Sequence, residues 1–401
     1  MRQKQLLFIL GIAVVLLGMA LGIQRWRSGA LESAGAPAGG KVLPDFPLND
    51  IAKIVVAGAS NKVTVVRKDG TWGVEDRWAY PADFERVSEV LRSIWDLKSV
   101  QGVLAGPSQL GRLELEAPGE GEGKGTLVEF WKEGAKEPIK LLIGKRPGNG
   151  SGRFVKAAGS DNVWLVSDSF YRLTPAPLDW IKRDLPDVGA AKSIVVRGAD
   201  GKEVWALSRE KDTDELKLQN AAPGEEFDDA THGYTAKNPM SYATFFDLVA
   251  PETKADSVGL DKPRVAEIKT FDGFTYTLKI GHRDPQNRSF VRIAVTAAIP
   301  EKREPGKDEK EEDKKRLDEE FKKKHDELKK KLADAKAMER WTYLLEESRV
   351  SFFMKDRPDV LKKKEEKKDE EKKEGAGKEA PASEMAPETA PGEAKAAEKK
   401  D

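Results

Sequence analysis

The chain has 401 residues, 39% hydrophobic and 34% charged, with 69 Lys and Arg against 69 Asp and Glu and so no net charge. That balance argues against nucleic-acid binding, which calls for a basic footprint, and the length allows roughly two to three domains. The lack of cysteine excludes disulfides, thiol catalysis and cysteine-based metal sites.

Leu6–Ile23, LLFILGIAVVLLGMALGI, is an uncharged apolar run long enough to cross a bilayer as a helix. Arg2 and Lys4 precede it, and Trp26 follows where an indole suits the interface. A signal peptide cleaved near Gly18-Met19-Ala20 competes with this reading, but the run is long for a signal and no lipobox cysteine follows. Residues 1–27 therefore read as an uncleaved single-pass membrane anchor. Arg25 and Arg27 nearly balance the charges before the run, so orientation is weakly set; the N-terminus is expected inside and the body exported, which in a bacterial inner membrane, the setting that the resemblance described below implies, is the periplasmic side. Residues 28–48 read as a flexible linker rich in Gly, Ala and Ser.

The first domain is expected over 49–188. Ile51–Val56 and Val63–Val66 are β-branched runs around Gly58-Ala59-Ser60-Asn61, a hairpin signal. Lys68-Asp69-Gly70 turns into Thr71–Val74, another short strand. Pro81 opens a helix with Phe84, Val87, Leu91, Ile94 and Trp95 on one face and Asp83 and Glu85 at its start. Leu104–Gly125 looks like a loop, Thr126–Trp131 and Ile139–Ile143 are strands, and Lys140–Val155 is a strand, glycine-rich turn and strand. Val163–Val166 and a helical Asp168–Tyr171 follow.

Much of this returns in a second domain, expected over 189–363. Ile194-Val195-Val196 repeats Ile54-Val55-Val56, and Val204–Leu207 repeats the second strand. Ile280-Gly281 repeats Ile143-Gly144, Arg283 repeats Arg146, and Phe290-Val291 repeats Phe154-Val155. Pro239 aligns with Pro81 and, without a gap, Ser257-Val258 with Ser99-Val100; Tyr242, Phe245 and Val249 then supply the helix face. The copy ends with Pro358-Asp359-Val360 under Pro186-Asp187-Val188. The fold class is α+β: two tandem copies of a mostly antiparallel sheet with a packed helix, since the strand links are too short for crossovers.

Where the first copy has the turn Ala158–Asn162, the second carries a charged helical insertion at 299–340. Asp308–Met338 has a thin apolar stripe at Leu317, Phe321, Leu328, Ala335 and Met338. A helix of that length spans roughly 46 Å, and its lead-in reaches only about 34 Å. It must break near Lys324-His325-Asp326 or lie along the body. Lys324 and Lys331 on the seam weaken a coiled coil and favour a solvated excursion over a partner-docking arm. Residues 364–401, Lys/Glu blocks and then Ala, Pro, Glu and Gly, cannot form a core and read as disordered.

Candidate chemistry is sparse. His232, His282 and His325, placed in a polar loop, a hairpin turn and the charged helix, lack metal-ligand spacing. The run Gly148–Gly152 leads into no helix and lacks the Gly-Lys-Ser/Thr ending of a P-loop. No catalytic residue, metal ligand or cofactor site is expected, and the chain reads as no enzyme. Arg146 and Arg283, beside the turn in both copies, are candidate anion ligands, with a structural ion pair as the plainer role.

Leu43-Pro44-Asp45-Phe46, Asp50–Ile54, Lys68–Trp72, Tyr80-Pro81-Ala82-Asp83, Ile143-Gly144 and Phe154-Val155 together resemble the bacterial family known as domain of unknown function 4340. The resemblance covers the first copy well and the second loosely, and it carries turns and strands rather than catalytic residues. It implies a membrane-anchored envelope protein, some members being encoded beside gliding-motility-type auxiliary components of ABC transporters. The long insertion and the Lys/Glu tail depart from the family pattern. The expected function is a non-enzymatic binding or scaffold subunit of an envelope complex, accessory to an ABC-type transporter. The alternative is a module that binds an anionic polymer or small ligand through the paired hairpin turns.

Overall fold

The computed structural model describes residues 38–148, 150–304 and 310–363. The expected anchor, the linker before residue 38 and the tail from residue 364 lie outside the described residues. Among the described residues no helix is long and apolar enough to cross a membrane.

The β-branched runs form strands in which alternate residues are the most deeply buried. In β1 (Ile51–Ala57) and β2 (Lys62–Lys68), Ile54 faces Val65 and Val56 faces Val63, all inaccessible to solvent. β3 (Thr71–Val74) and β4 (Tyr80–Pro81) extend the hairpin to one edge. β5 (Ser99–Val103) forms the other edge, reached through β6 (Thr126–Lys132), β7 (Ile139–Ile143), β8 (Arg153–Ala157) and β9 (Val163–Val166). The order is β4-β3-β2-β1-β6-β7-β8-β9-β5. Helix α1 (Phe84–Trp95) buries Val87, Val90, Leu91 and Ile94, and Asp83 caps it by accepting from the backbone N–H groups of Glu85 and Arg86. Phe84 and Trp95, expected on the buried face, are 67% and 44% exposed because the helix turns Val90 inward instead. Asp168–Tyr171 is not helical: the Asp168 carboxylate accepts from the Phe170 N–H, and Phe170 has a left-handed φ of 54°.

The second sheet comprises β10 (Ala191–Arg197), β11 (Glu203–Ser208), β12 (Lys217–Leu218), β13 (Asp247–Val249), β14 (Arg264–Thr270), β15 (Phe274–Arg283), β16 (Arg288–Ala297) and β17 (Thr342–Glu346). Its order, β12-β11-β10-β14-β15-β16-β17-β13, is that of the first sheet without β4, and both sheets are antiparallel. Register repeats as well. Ile194 faces Leu207 and Ile268 as Ile54 faces Val65 and Phe130. Val291 faces Ile280 and Tyr343 as Val155 faces Ile143 and Trp164. A bulge interrupts Ala191/Ser193 as one interrupts Ile51/Lys53.

The helix of the second half is not where Pro239 would put it. Helix α2 (Asp229–Lys237) ends before that proline. Asp228 caps it, its carboxylate accepting from the Thr231 N–H at 3.1 Å. The Asp228 N–H donates to the Val360 carbonyl as that of Asp83 donates to Trp180, and Phe227 bridges Leu361 as Ala82 bridges Ile181. Glu226-Phe227-Asp228 thus replaces Pro239 as the counterpart of Pro81-Ala82-Asp83. Tyr242 is 88% exposed, Phe245 is in the core outside any helix, and Val249 is in β13. The ungapped match of Ser257-Val258 to Ser99-Val100 fails for the same reason, since β13 occupies the place of β5. Asp359-Val360 stands in place of Asp179-Trp180, not Asp187-Val188.

The insertion is one unbroken helix, α3 (Glu311–Met338), lying along the body. Ala335 is buried, and Leu328, Leu332 and Met338 pack on the core. Lys331 Nζ meets Asp272 Oδ2 at 2.9 Å, and Arg303 Nε meets Asp318 Oδ1 at 2.7 Å.

The two sheets meet through Trp180–Leu185. The Asp83 N–H donates to the Trp180 carbonyl at 2.7 Å on the side of the first sheet. The Leu185 N–H donates to Ala243 O at 2.9 Å and the Phe245 N–H to Arg183 O at 3.0 Å on the side of the second. Arg77 grips Asp247 with two bonds, at 2.9 and 3.2 Å. The Tyr80 ring lies 5.6 Å from Phe245 and 5.1 Å from Trp341, and its hydroxyl hydrogen-bonds to Tyr343. One compact unit results, ending at Lys362.

Burial pushes the Tyr80 hydroxyl from 10.0 up to about 12, and burial raises Tyr343 and Tyr276 as well. A neutral form favoured by folding stabilises the protein below pH 10, and that contribution falls as pH climbs from the unfolded value toward the folded one. Tyr80 alone supplies about 2–3 kcal/mol of this dependence. The melting temperature should drop steeply above pH 10, and the Tyr80→Phe/Tyr343→Phe double variant should flatten the drop. An equally steep drop in that variant would contradict burial of these hydroxyls.

Candidate functional site

The two hairpins β7–β8 and β15–β16 carry the recurring Ile-Gly pair, and the glycine has a steric cause. A Cβ on Gly144 would lie 2.2 Å from the Leu113 carbonyl oxygen, and one on Gly281 would lie 2.0 Å from that of Val258. In the first hairpin the Lys145 N–H then donates to Leu113 O at 3.0 Å.

The candidate arginines differ in their surroundings. Arg146 is exposed and has no hydrogen-bond or ion-pair partner among the described residues. Arg283 donates to Glu347 Oε1 at 2.6 Å and Asn287 Oδ1 at 3.4 Å, so the start of α4 (Glu347–Val350) already engages it. The two sit in corresponding turns of different sheets, and no described contact joins those turns. Asn149 in the first turn lies outside the described residues.

Each histidine meets an aromatic ring. His232, expected in a loop, lies on α2; its Nε2 is 3.1 Å from Asp359 O, and its ring lies 5.8 Å from Phe352. His282 meets Phe290 edge-on at 5.4 Å. His325 stacks on Phe321 at 5.9 Å, and its Nε2 is buried without a hydrogen-bond partner among the described residues. It faces a cavity of about 280 Å³ between α3 and the β14–β15 turn, walled by Phe271, Ile299 and Leu328. Among the described residues no three His, Asp or Glu side chains gather in a way that could hold a metal ion.

A second groove, of about 290 Å³, runs between α1 and the β1–β3 face of the first sheet. Phe84, Ser88 and Arg92 supply one wall from successive turns of α1. Trp72 and Arg67 line it from the sheet side, with the Arg67 guanidinium 5.9 Å from the Trp72 ring centroid. Sequence reasoning assigned Phe84 to the core and did not single out Arg67 or Arg92. The available signal was spacing: Phe84, Ser88 and Arg92 share a helix face distinct from that of Val87, Leu91 and Ile94.

Two antiparallel sheets of one strand order, each with a capped helix and a glycine-requiring hairpin, define a paired α+β protein. Residues 72–263 match the family model described as Domain of unknown function (DUF4340), and the chain carries that domain. The match begins in β3, crosses the Trp180–Leu185 junction and stops just before β14, so it straddles both halves. Trp72, Tyr80–Asp83, Ile143-Gly144 and Phe154-Val155 lie inside it, whereas Leu43–Phe46 and Asp50–Ile54 precede it. No curated protein and no solved structure matches the chain.

Arg283→Ala removes a half-exposed ion pair and should cost less than about 1 kcal/mol. Arg146→Ala should leave stability unchanged. Urea melts of both variants check this, and a loss well above that figure at either position would show a structural role that the geometry does not contain.

Proposed function

We propose that this is a membrane-anchored envelope protein that works without catalysis, as a binding or scaffold subunit of a larger complex, with an ABC-type transporter as the partner assembly. The observation that supports this most is the junction. Two sheets with one strand order are fused by a shared hydrogen-bonded segment into a single body, which suits a rigid presenting surface. We infer that the two halves descend from duplication of one unit, because strand order, register, bulge and helix cap all recur. The N-terminal segment enters the body in the same manner as the junction does: the Val42 N–H donates to Leu97 O and the Ser99 N–H to Gly40 O, both at 2.9 Å. The residues between Ile23 and Gly39 would then span at most about 55 Å, and the body would work close to the bilayer, on its periplasmic side.

A second reading, recognition of an anionic polymer or small ligand at the hairpin turns, is supported at Arg146, which is exposed and unengaged among the described residues. Arg283 would have to leave Glu347 to take part.

The test is crosslinking in cells, then membrane pull-down and mass spectrometry, on the intact chain and on a version lacking 299–338. In the first half a short turn joins β8 to β9, so a similar turn should close the deletion. Specific recovery of transporter subunits with the intact chain is expected, and its loss in the deletion would assign α3 as the dock. Recovery of no specific membrane partner from either version would overturn the scaffold reading.

A further inference from the structure

The two halves differ in charge at one corresponding place, and the difference points to a ligand. Helix positions follow from the matched caps Asp83 and Asp228. Phe84 therefore corresponds to Asp229, Ser88 to Gly233 and Arg92 to Lys237. In the second half Lys237 Nζ and Asp229 Oδ1 pair at 3.1 Å. Gly233 makes this possible: a Cβ there would lie 2.4 Å from the Asp229 carboxylate. The sheet side behaves in the same way. Strand register makes Arg209 the counterpart of Arg67. Arg209 is turned inward, donates to Ala191 O at 2.8 Å and pairs with Asp212 at 2.9 Å. Both cations of the second half are thus neutralised from within.

In the first half neither is. Arg67 donates only to the Asn49 carbonyl, at 3.3 Å, and neither Arg67 nor Arg92 has a carboxylate partner among the described residues. The position that supplies the acid on α2 holds Phe84, a large apolar ring left 67% exposed. Exposure of such a ring costs hydrophobic free energy that an acid at that position would avoid while pairing with Arg92. The second half has that acid. The combination left in the first half is two guanidiniums around an aromatic wall, over a floor of Trp72, Val87 and Leu91. Guanidiniums bind planar oxyanions through paired donors and stack on flat apolar faces.

We propose that the groove between α1 and the first sheet binds a small anion bearing a flat apolar group, such as an aromatic carboxylate, sulfonate or phosphate. Arg92 and Arg67 hold the anionic end, and Phe84 covers the apolar part. The volume, about 290 Å³, lies near the lower end of the range for small-molecule pockets. This site is independent of the partner proposed above and lies away from the hairpin turns.

The probe is anilinonaphthalene sulfonate, titrated by fluorescence into the intact chain held in zwitterionic lipid discs, with empty discs as blank. Neutral phenylnaphthylamine serves as the uncharged control. Phe84→Asp gives α1 the acid that α2 has, and Arg92→Ala removes an exposed cation without touching the core. Saturable binding of the sulfonate is expected, weakened about tenfold by either variant, as loss of a charge-assisted contact implies. Phenylnaphthylamine binding should not respond to Arg92→Ala. Sulfonate binding that is equal in wild type and both variants, or no saturable binding at all, would overturn the proposal.

Discussion

A short extended segment, Trp180–Leu185, holds the molecule together by satisfying the edges of two sheets at once. A sheet edge presents unpaired N–H and C=O groups that either recruit another chain or must be covered. At one end of the segment, Ile181 bridges Ala82, just past the edge strand β4. At the other end, Asp184 bridges Thr244, on the lead-in to the edge strand β13. Side chains reinforce the backbone: Arg77 clamps Asp247 across the junction, and Tyr80 sits among Phe245, Trp341 and Tyr343. The free edge of the first sheet is handled alike, with Lys41 bridging Lys98 ahead of β5. Each half is therefore entered by a segment that first pairs with its own edge.

Much of the strand framework was legible in sequence because β-branched runs and turn residues carry it locally. Ile54-Val55-Val56 and Ile194-Val195-Val196 occupy equivalent places, as do the Ile-Gly and Phe-Val pairs of the hairpins. The second helix was not legible. Its sequence, DATHGYTAK, has no apolar stripe and buries only Gly233 and Ala236, so periodicity has nothing to detect. What fixes it is the bond from the Asp228 N–H to Val360, far along the chain, and the cap made by the Asp228 carboxylate. The alignment of Pro239 with Pro81 carried no such information. The groove beside α1 was hidden for a related reason: its meaning lies in acids present around Arg209 and Lys237 and not placed around Arg67 and Arg92.

The long charged helix is less independent than its composition suggests. Its apolar stripe faces the body, with Phe321 and His325 over one cavity and Ala335 in the core. Its outward residues pair among themselves, as Arg316 does with Glu320 at 2.8 Å. Any partner of α3 would meet that charged outer face, since the stripe is already used. The halves thus differ in complementary ways: the second carries the helix and closes its own groove with ion pairs, while the first has a short turn and an open basic groove.

The two sheets behave as one body through Trp180–Leu185. Native-state hydrogen exchange, read at the amides of Asp83, Leu185 and Phe245, tests that directly. These junction amides should exchange only with the core strands β1 and β10, in the global unfolding reaction. Early exchange of the junction amides while both sheets remain protected would show two bodies merely touching, and would contradict the account.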